Sequence, residues 1–331
     1  MDKISSVRIQ KTKDRWIMFP RKWLAKSRWM AFGLLLAAAA LLPAASAHAA
    51  DEQWIAQVWK EYTAYNKKTV DAYESYLQQT ERAYQKFYDD SHRKYEEMMA
   101  QVHADQKEWH KKLEADLKSL EERYGSDKNM KSKLRTYNQY INPNFLNSPM
   151  WKYEVAGNPN YLNSTMWKLN KALNENYLQS LMWTFSKAIN PNYLNSSMWK
   201  YNKTVNEDYV SSPMQKLKHG SSEHYAGSPI NKYSKGKLTK TMAKKLYAEL
   251  KQEQTANVSK GVAASKKAIA ELTASTKNKI GDLHNETVEL LEKQREETLE
   301  AISGLRKEIC GEGLQWEPLF SAPKPRENSA A

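Results

Sequence analysis

Residues 158–173 read NPNYLNSTMWKLNKAL and residues 190–205 read NPNYLNSSMWKYNKTV, two copies of one 16-residue unit. Stepping by 16 in either direction shows Asn142, Asn158, Asn174, Asn190 and Asn206 opening the same phrase, and the unit runs six times without slippage between residues 142 and 237. A fixed period of this length marks a tandem array in which each unit buries its apolar face on its neighbours. Apolar residues recur at positions 4, 5, 9, 12 and 16 of the unit, in one copy Tyr193, Leu194, Met198, Tyr201 and Val205. Those spacings are helical and not alternating. Pro143, Pro159 and Pro191 each follow an Asn, the order in which Asn caps a helix and Pro takes its first position. A second start is offered by Ser148, Ser164, Ser180, Ser196 and Ser212, just before the Met-Trp pair. One or two short helices per unit joined by Asn-rich turns are expected, with a single kinked helix as the rival. The array wears outward: residues 132–141 align as a degraded copy, and Gln215 and Asn231 stand where the Trp should be.

Both flanks carry an 11-residue period. From Asp51 onward the fourth positions of successive blocks are Trp54, Tyr65, Tyr76, Phe87, Met98, Trp109 and Leu120, and the first positions include Tyr62, Tyr73, Tyr84, Tyr95 and Leu117. On the far side Tyr247, Val258, Ile269, Ile280, Leu291 and Ile302 form one row, and Thr276, Thr287, Thr298 and Ile309 another. Such a period spans three helical turns, so each row stays on one face of a nearly straight helix. The fold expected is all-α: two long hendecad helices forming an extended antiparallel hairpin or coiled coil, flanking the array of short-helix repeats. The division that follows is a signal peptide over 1–49, arm 1 over 50–125, the repeats over 126–237, arm 2 over 238–310 and a tail over 311–331. In that hairpin each arm buries its stripe on the other, and the Tyr- and Trp-rich surface left wet favours self-association through the arms.

Residues 1–29 hold nine Lys/Arg against Asp2 and Asp14, and an apolar run, Pro43 and Ala47-His48-Ala49 follow. This is the layout of a secretory leader, with an uncleaved N-terminal anchor as its competitor. The formal charge of the chain is +13, and outside the leader the excess is concentrated in residues 126–240, with 16 basic and 6 acidic residues. A basic block of that kind suits an anionic polymer or a membrane surface. Nucleic acid fits poorly, because no reader motif is present and export removes the usual partner. Cys310 is the single cysteine, so a disulfide can form only between chains.

Trp151, Trp167, Trp183 and Trp199 are the candidate ligand-binding residues, with Lys152, Lys168 and Lys200 beside three of them and Thr184 after Trp183. An aromatic face next to an ammonium can stack on a sugar ring and contact an acidic group, and regular copies add avidity for a repetitive polymer. The competing reading has the Met and Trp packing between units. No phosphate loop, nucleophile elbow, paired-Cys spacing or HExxH motif occurs, so no catalytic residue, cofactor or metal is assigned. His103 and His110, with Asp105 and Glu108 nearby, are the closest approach to a metal cluster and read more simply as solvated surface. The functional expectation is a secreted, non-catalytic, cell-surface or envelope-associated binding and assembly protein whose array holds an anionic or glycan polymer. The alternative is a membrane-active helical protein of the toxin or bacteriocin kind, whose arms open on lipid.

Overall fold

The computed structural model describes residues 44–320, and every regular element among them is helical. The chain divides between residues 52 and 53 into two units. Of the first, only the opening turns of a long helix are described, and most of the expected leader, up to residue 43, lies outside the described residues. The second unit holds two long helices, α1 (Ala44–Tyr124, entering from the first unit) and α9 (Lys240–Cys310). Between them in sequence lie seven short ones: α2 (Met130–Ile141), α3 (Pro149–Ala156), α4 (Thr165–Leu173), α5 (Leu181–Ile189), α6 (Ser197–Val205), α7 (Pro213–Ser221) and α8 (Pro229–Ser234).

Each 16-residue unit yields one helix, begun by its Ser and not by its Asn. Ser148, Ser164, Ser180, Ser196 and Ser212 are N-caps whose side chains accept from the backbone N–H three residues on. The Asn-Pro pairs expected to open helices instead form the turn before the cap. The prolines that do sit in the first helical turn are Pro149, Pro213 and Pro229, each preceded by Ser. Met150, Met166, Met182, Met198 and Met214 are fully buried, as are Tyr153, Leu169, Phe185, Tyr201 and Leu217 three residues later. Positions 9 and 12 of the unit are therefore the buried stripe of α3 to α7.

The arms are parallel, not antiparallel. Glu61 pairs with Lys251 at 2.7 Å, Asp105 with Arg295 at 3.2 Å and Asp116 with Arg306 at 3.0 Å, each time 190 residues apart. A separation that stays constant from Glu61 to Asp116 is possible only if both helices run the same way. The array makes the return journey between them. Tyr201 meets Tyr73 at 5.0 Å between ring centroids and Phe185 meets Tyr84 at 5.1 Å. Tyr153 donates to Asp105 and Tyr137 to Asp116, both at 2.6 Å. One hendecad forward on α1 thus corresponds to one unit backward on the array. A hendecad of α-helix rises about 16.5 Å, so both periods measure one physical length.

Tertiary packing follows from side-chain size. α9 runs in close backbone contact with each of α2 to α8, because its facing row is small: Ala243, Ser265, Thr276, Thr287 and Thr298 are buried there. At Gly261 an added Cβ would lie 2.8 Å from the Thr204 side chain on α6, so the approach depends on its absence. α1 reaches the same helices through long aromatics, with Tyr62, Tyr73, Tyr84 and Tyr95 buried in the main core beside Val258, Ile269, Ile280 and Leu291. Each such side chain contributes about 1.5–3 kcal/mol by leaving water. The stripes expected to meet each other across a hairpin are instead joined by the array. Gly311, at φ 78°, ends α9 in the left-handed conformation that glycine accepts without strain. The tail then turns back, setting Trp316 against Trp109 with ring centroids 4.5 Å apart and burying Leu319.

Candidate functional site

The seven residues before each of α3 to α8 form a turn in which the chain's polar groups satisfy one another. In residues 174–180, Asn174 Oδ1 accepts from the Asn176 N–H at 2.9 Å and the Asn174 carbonyl accepts from the Tyr177 N–H at 3.1 Å. The same carbonyl accepts from Ser180 Oγ at 2.6 Å, and Ser180 Oγ in turn accepts from the Trp183 N–H at 2.9 Å. The same set recurs from Asn142, Asn158, Asn190 and Asn206. Reversal is completed by a left-handed residue just before the cap: Asn147, Asn163, Gln179, Asn195 and Ser211 have φ of 64–65°. Asn tolerates that region better than most side chains.

These bonded turns hold two apolar side chains out of the core. Phe145, Tyr161, Tyr177, Tyr193 and Tyr225 are exposed at position 4. At position 5, Leu146, Leu162, Leu178 and Leu194 keep 66–67% of their surface in water, and Val210 keeps 74%. Scattered exposed leucines need no explanation, but a repeated aromatic–aliphatic pair on identical turns is a surface feature of the array itself. Sequence periodicity assigns positions 4 and 5 to a helical face. They are turn tips.

The tryptophans lie half-buried beneath these tips. Trp151 meets Tyr161 edge-on at 6.0 Å, Trp183 meets Tyr193 at 6.4 Å and Trp199 meets Tyr209 at 5.7 Å, so each unit's Trp supports the next unit's aromatic tip. Lys171 Nζ lies 4.9 Å from the Trp167 ring and 4.5 Å from Tyr177. Lys187 sits likewise between Trp183 and Tyr193, and Lys203 between Trp199 and Tyr209. Cation–π contacts of this kind contribute about 0.5–1 kcal/mol each at exposed sites. His219 takes the place of the lysine in the following unit and stacks on Tyr225 at 4.1 Å. The lysines expected to join the tryptophans, Lys152, Lys168 and Lys200, are exposed on the helices instead. Adjacency in sequence does not reveal Lys171, Lys187 and Lys203, because on a helix the spatial neighbour is four residues away.

Among the described residues no three His, Cys, Asp or Glu side chains are grouped to hold a metal ion, and no helix is long and apolar enough to cross a membrane. His110 pairs with Glu114 at 3.0 Å. Cys310 is a half-buried free thiol. Comparison with family models, with characterised proteins and with solved structures finds no match to this chain.

Proposed function

We propose that the chain is an exported, non-catalytic binding and assembly module, and that its turn tips dock on a repetitive envelope glycan bearing acidic groups. The observation that carries this reading is the ladder of Phe/Tyr–Leu/Val pairs, identical in turn geometry and recurring once per unit. Tyr faces and Asn amides at the tips suit sugar rings, Lys171, Lys187 and Lys203 bring positive charge to tip aromatics, and Lys152, Lys168 and Lys200 add exposed charge on the helices. One tip binds weakly; successive tips on one polymer act at high effective concentration, so affinity grows with their number. The tips replace the Trp-Lys neighbours as the contact residues, and the tryptophans become their supports.

The membrane-active alternative rests on the stripes of the two arms, and so does self-association through them. Those stripes are engaged with α2 to α8.

The test is co-sedimentation of the full chain with purified envelope glycan, comparing wild type with Tyr161→Ala, Tyr177→Ala and Tyr193→Ala singly and together. Binding should weaken stepwise and be lost in the triple variant, while Lys152→Gln/Lys168→Gln/Lys200→Gln should mainly flatten the salt dependence. Retention by the triple variant at wild-type strength, or dye release from anionic vesicles without glycan binding, would reject the reading.

A further inference from the structure

Down the α1–α9 seam the facing pairs read Asp116–Arg306, Asp105–Arg295 and then Lys94–His284, with the same separation in sequence. At the first two levels the array adds Tyr137 and Tyr153, whose hydroxyls donate to the aspartates. At the third level the array supplies Leu169, one unit after Tyr153, which brings neither a hydroxyl nor an aromatic ring. A second acid is missing there too. Glu292, one hendecad beyond, accepts from the Phe320 N–H, whereas the matching residue at this level is Gly281, where an added Cβ would have nothing within 4 Å.

The consequence is a cavity of about 210 Å³ between α1, α4 and α9. Phe87, Leu169 and Ile280 give it an apolar floor, Lys94 and Lys277 give it a cationic rim beside the His284 imidazole, and no carboxylate is among the lining residues. Lys277 Nζ is held 5.6 Å from the centroid of the Phe87 ring, which keeps its charge at the floor's edge. Burial, and then the charge of Lys94, push the His284 imidazole below its usual pKa. Two ammonium groups, Lys94 and Lys277, line this level where the neighbouring levels have a bonded ion pair.

We propose that this cavity is a binding site for a small organic carboxylate, its apolar body on Phe87, Leu169 and Ile280 and its carboxylate between Lys94, Lys277 and His284. An apolar cavity of about 150 Å³ accommodates a benzene ring, so a ring with one carboxylate is of the right size. A free acid and the C-terminal carboxylate of an apolar peptide share this chemistry. The site lies apart from the turn tips and does not depend on what they bind.

The experiment is calorimetric titration of the full chain with benzoate, N-acetyl-leucine and benzyl alcohol. Benzoate or N-acetyl-leucine should saturate one site, with the uncharged alcohol at least about tenfold weaker, the factor expected for one lost charge contact of roughly 1.4 kcal/mol. The tighter of the two acids identifies the source, free acid or peptide terminus. Lys94→Gln and Lys277→Gln should each weaken binding several-fold. Leu169→Tyr, which installs the ring carried by the neighbouring units, should abolish binding without lowering the melting temperature. Absence of saturable binding by both acids, equal binding of the alcohol, or unchanged affinity in a stably folded Leu169→Tyr variant would overturn the proposal.

Discussion

Asp105 on α1 accepts a hydrogen bond from Arg295 on α9, and Tyr153 of the array donates to the same carboxylate. Three elements that approach from opposite chain directions therefore meet at one buried ion. Arg295 is 3% exposed, so removing its only carboxylate among the described ion pairs leaves a buried cation held by the Glu317 carbonyl and the Trp109 ring alone. Asp105→Ala should lower stability in urea denaturation by about 3 kcal/mol. Asp105→Ala/Arg295→Met, which removes both charges, should recover more than half of that loss. Equal instability of the single and double variants would show that the pair is not what the seam depends on.

The core tyrosines make stability sensitive to alkali. Burial, reinforced by carboxylates such as Glu207, Asp116 and Asp105 at their hydroxyls, raises Tyr62, Tyr137 and Tyr153 above the ordinary phenol value, and burial pushes Tyr95 up to about 12. A group whose pKa is higher in the folded state than in the unfolded state retains its proton on folding. Its contribution is complete below the unfolded pKa of about 10 and is lost as pH rises from there through the folded pKa. Phenolate absorbance should rise in two phases, the exposed tip tyrosines near the ordinary value of about 10 with helices intact, and the buried ones at higher pH together with the loss of helix content. Full ionisation of the tyrosines at the ordinary pKa with helices intact would contradict the buried aromatic seam.

Two adjacent residues of one turn should respond with opposite signs. Ser180 caps α5 and also closes the turn onto the Asn174 carbonyl, so Ser180→Ala should cost about 1–2 kcal/mol. Gln179, one residue earlier, holds φ 64° with a side chain, and Gln179→Gly should stabilise by up to about 1 kcal/mol. Thermal melts of the two variants check this, and a destabilised Gln179→Gly would mean that the turn is not strained as described.

Much of the architecture was legible in the sequence, because period reports face. The rows at Tyr62, Tyr73, Tyr84 and Tyr95, and at Val258, Ile269, Ile280, Leu291 and Ile302, are buried as their spacing requires. Period does not report what covers the face. Reading each arm as the other's partner yields an antiparallel hairpin, whereas the array covers both. The available signal was that one hendecad of helix and one unit of the array have the same length. An array that keeps step with α1 must travel back along it, which brings α9 in parallel. The site was only partly legible. The Trp row was visible, but the exposed tips depend on left-handed Asn147, Asn163, Gln179, Asn195 and Ser211, whose conformation no glycine announced.

The shared length also makes the fold modular. Residues 73–83, 190–205 and 263–273 occupy one level, joined by Tyr73 and Tyr201. Deleting all three segments together should leave a shorter protein with a cooperative melt and native-like helix content. Deleting residues 190–205 alone puts the array out of step with both arms and should abolish cooperative unfolding. Comparable melts for the two deletions would show that the periods are not coupled.

Parallel arms bridged by a returning array are tested most directly by pulsed spin-label distances. The background is Cys310→Ser, and the labels are placed at Lys67, Glu108, Asn257 and Glu297, all exposed. The Lys67–Asn257 and Glu108–Glu297 distances should both be under about 30 Å, and Lys67–Glu297 should be about 60 Å from the helical rise between Asn257 and Glu297. A short Lys67–Glu297 distance together with a long Lys67–Asn257 distance would restore the antiparallel hairpin and contradict the account.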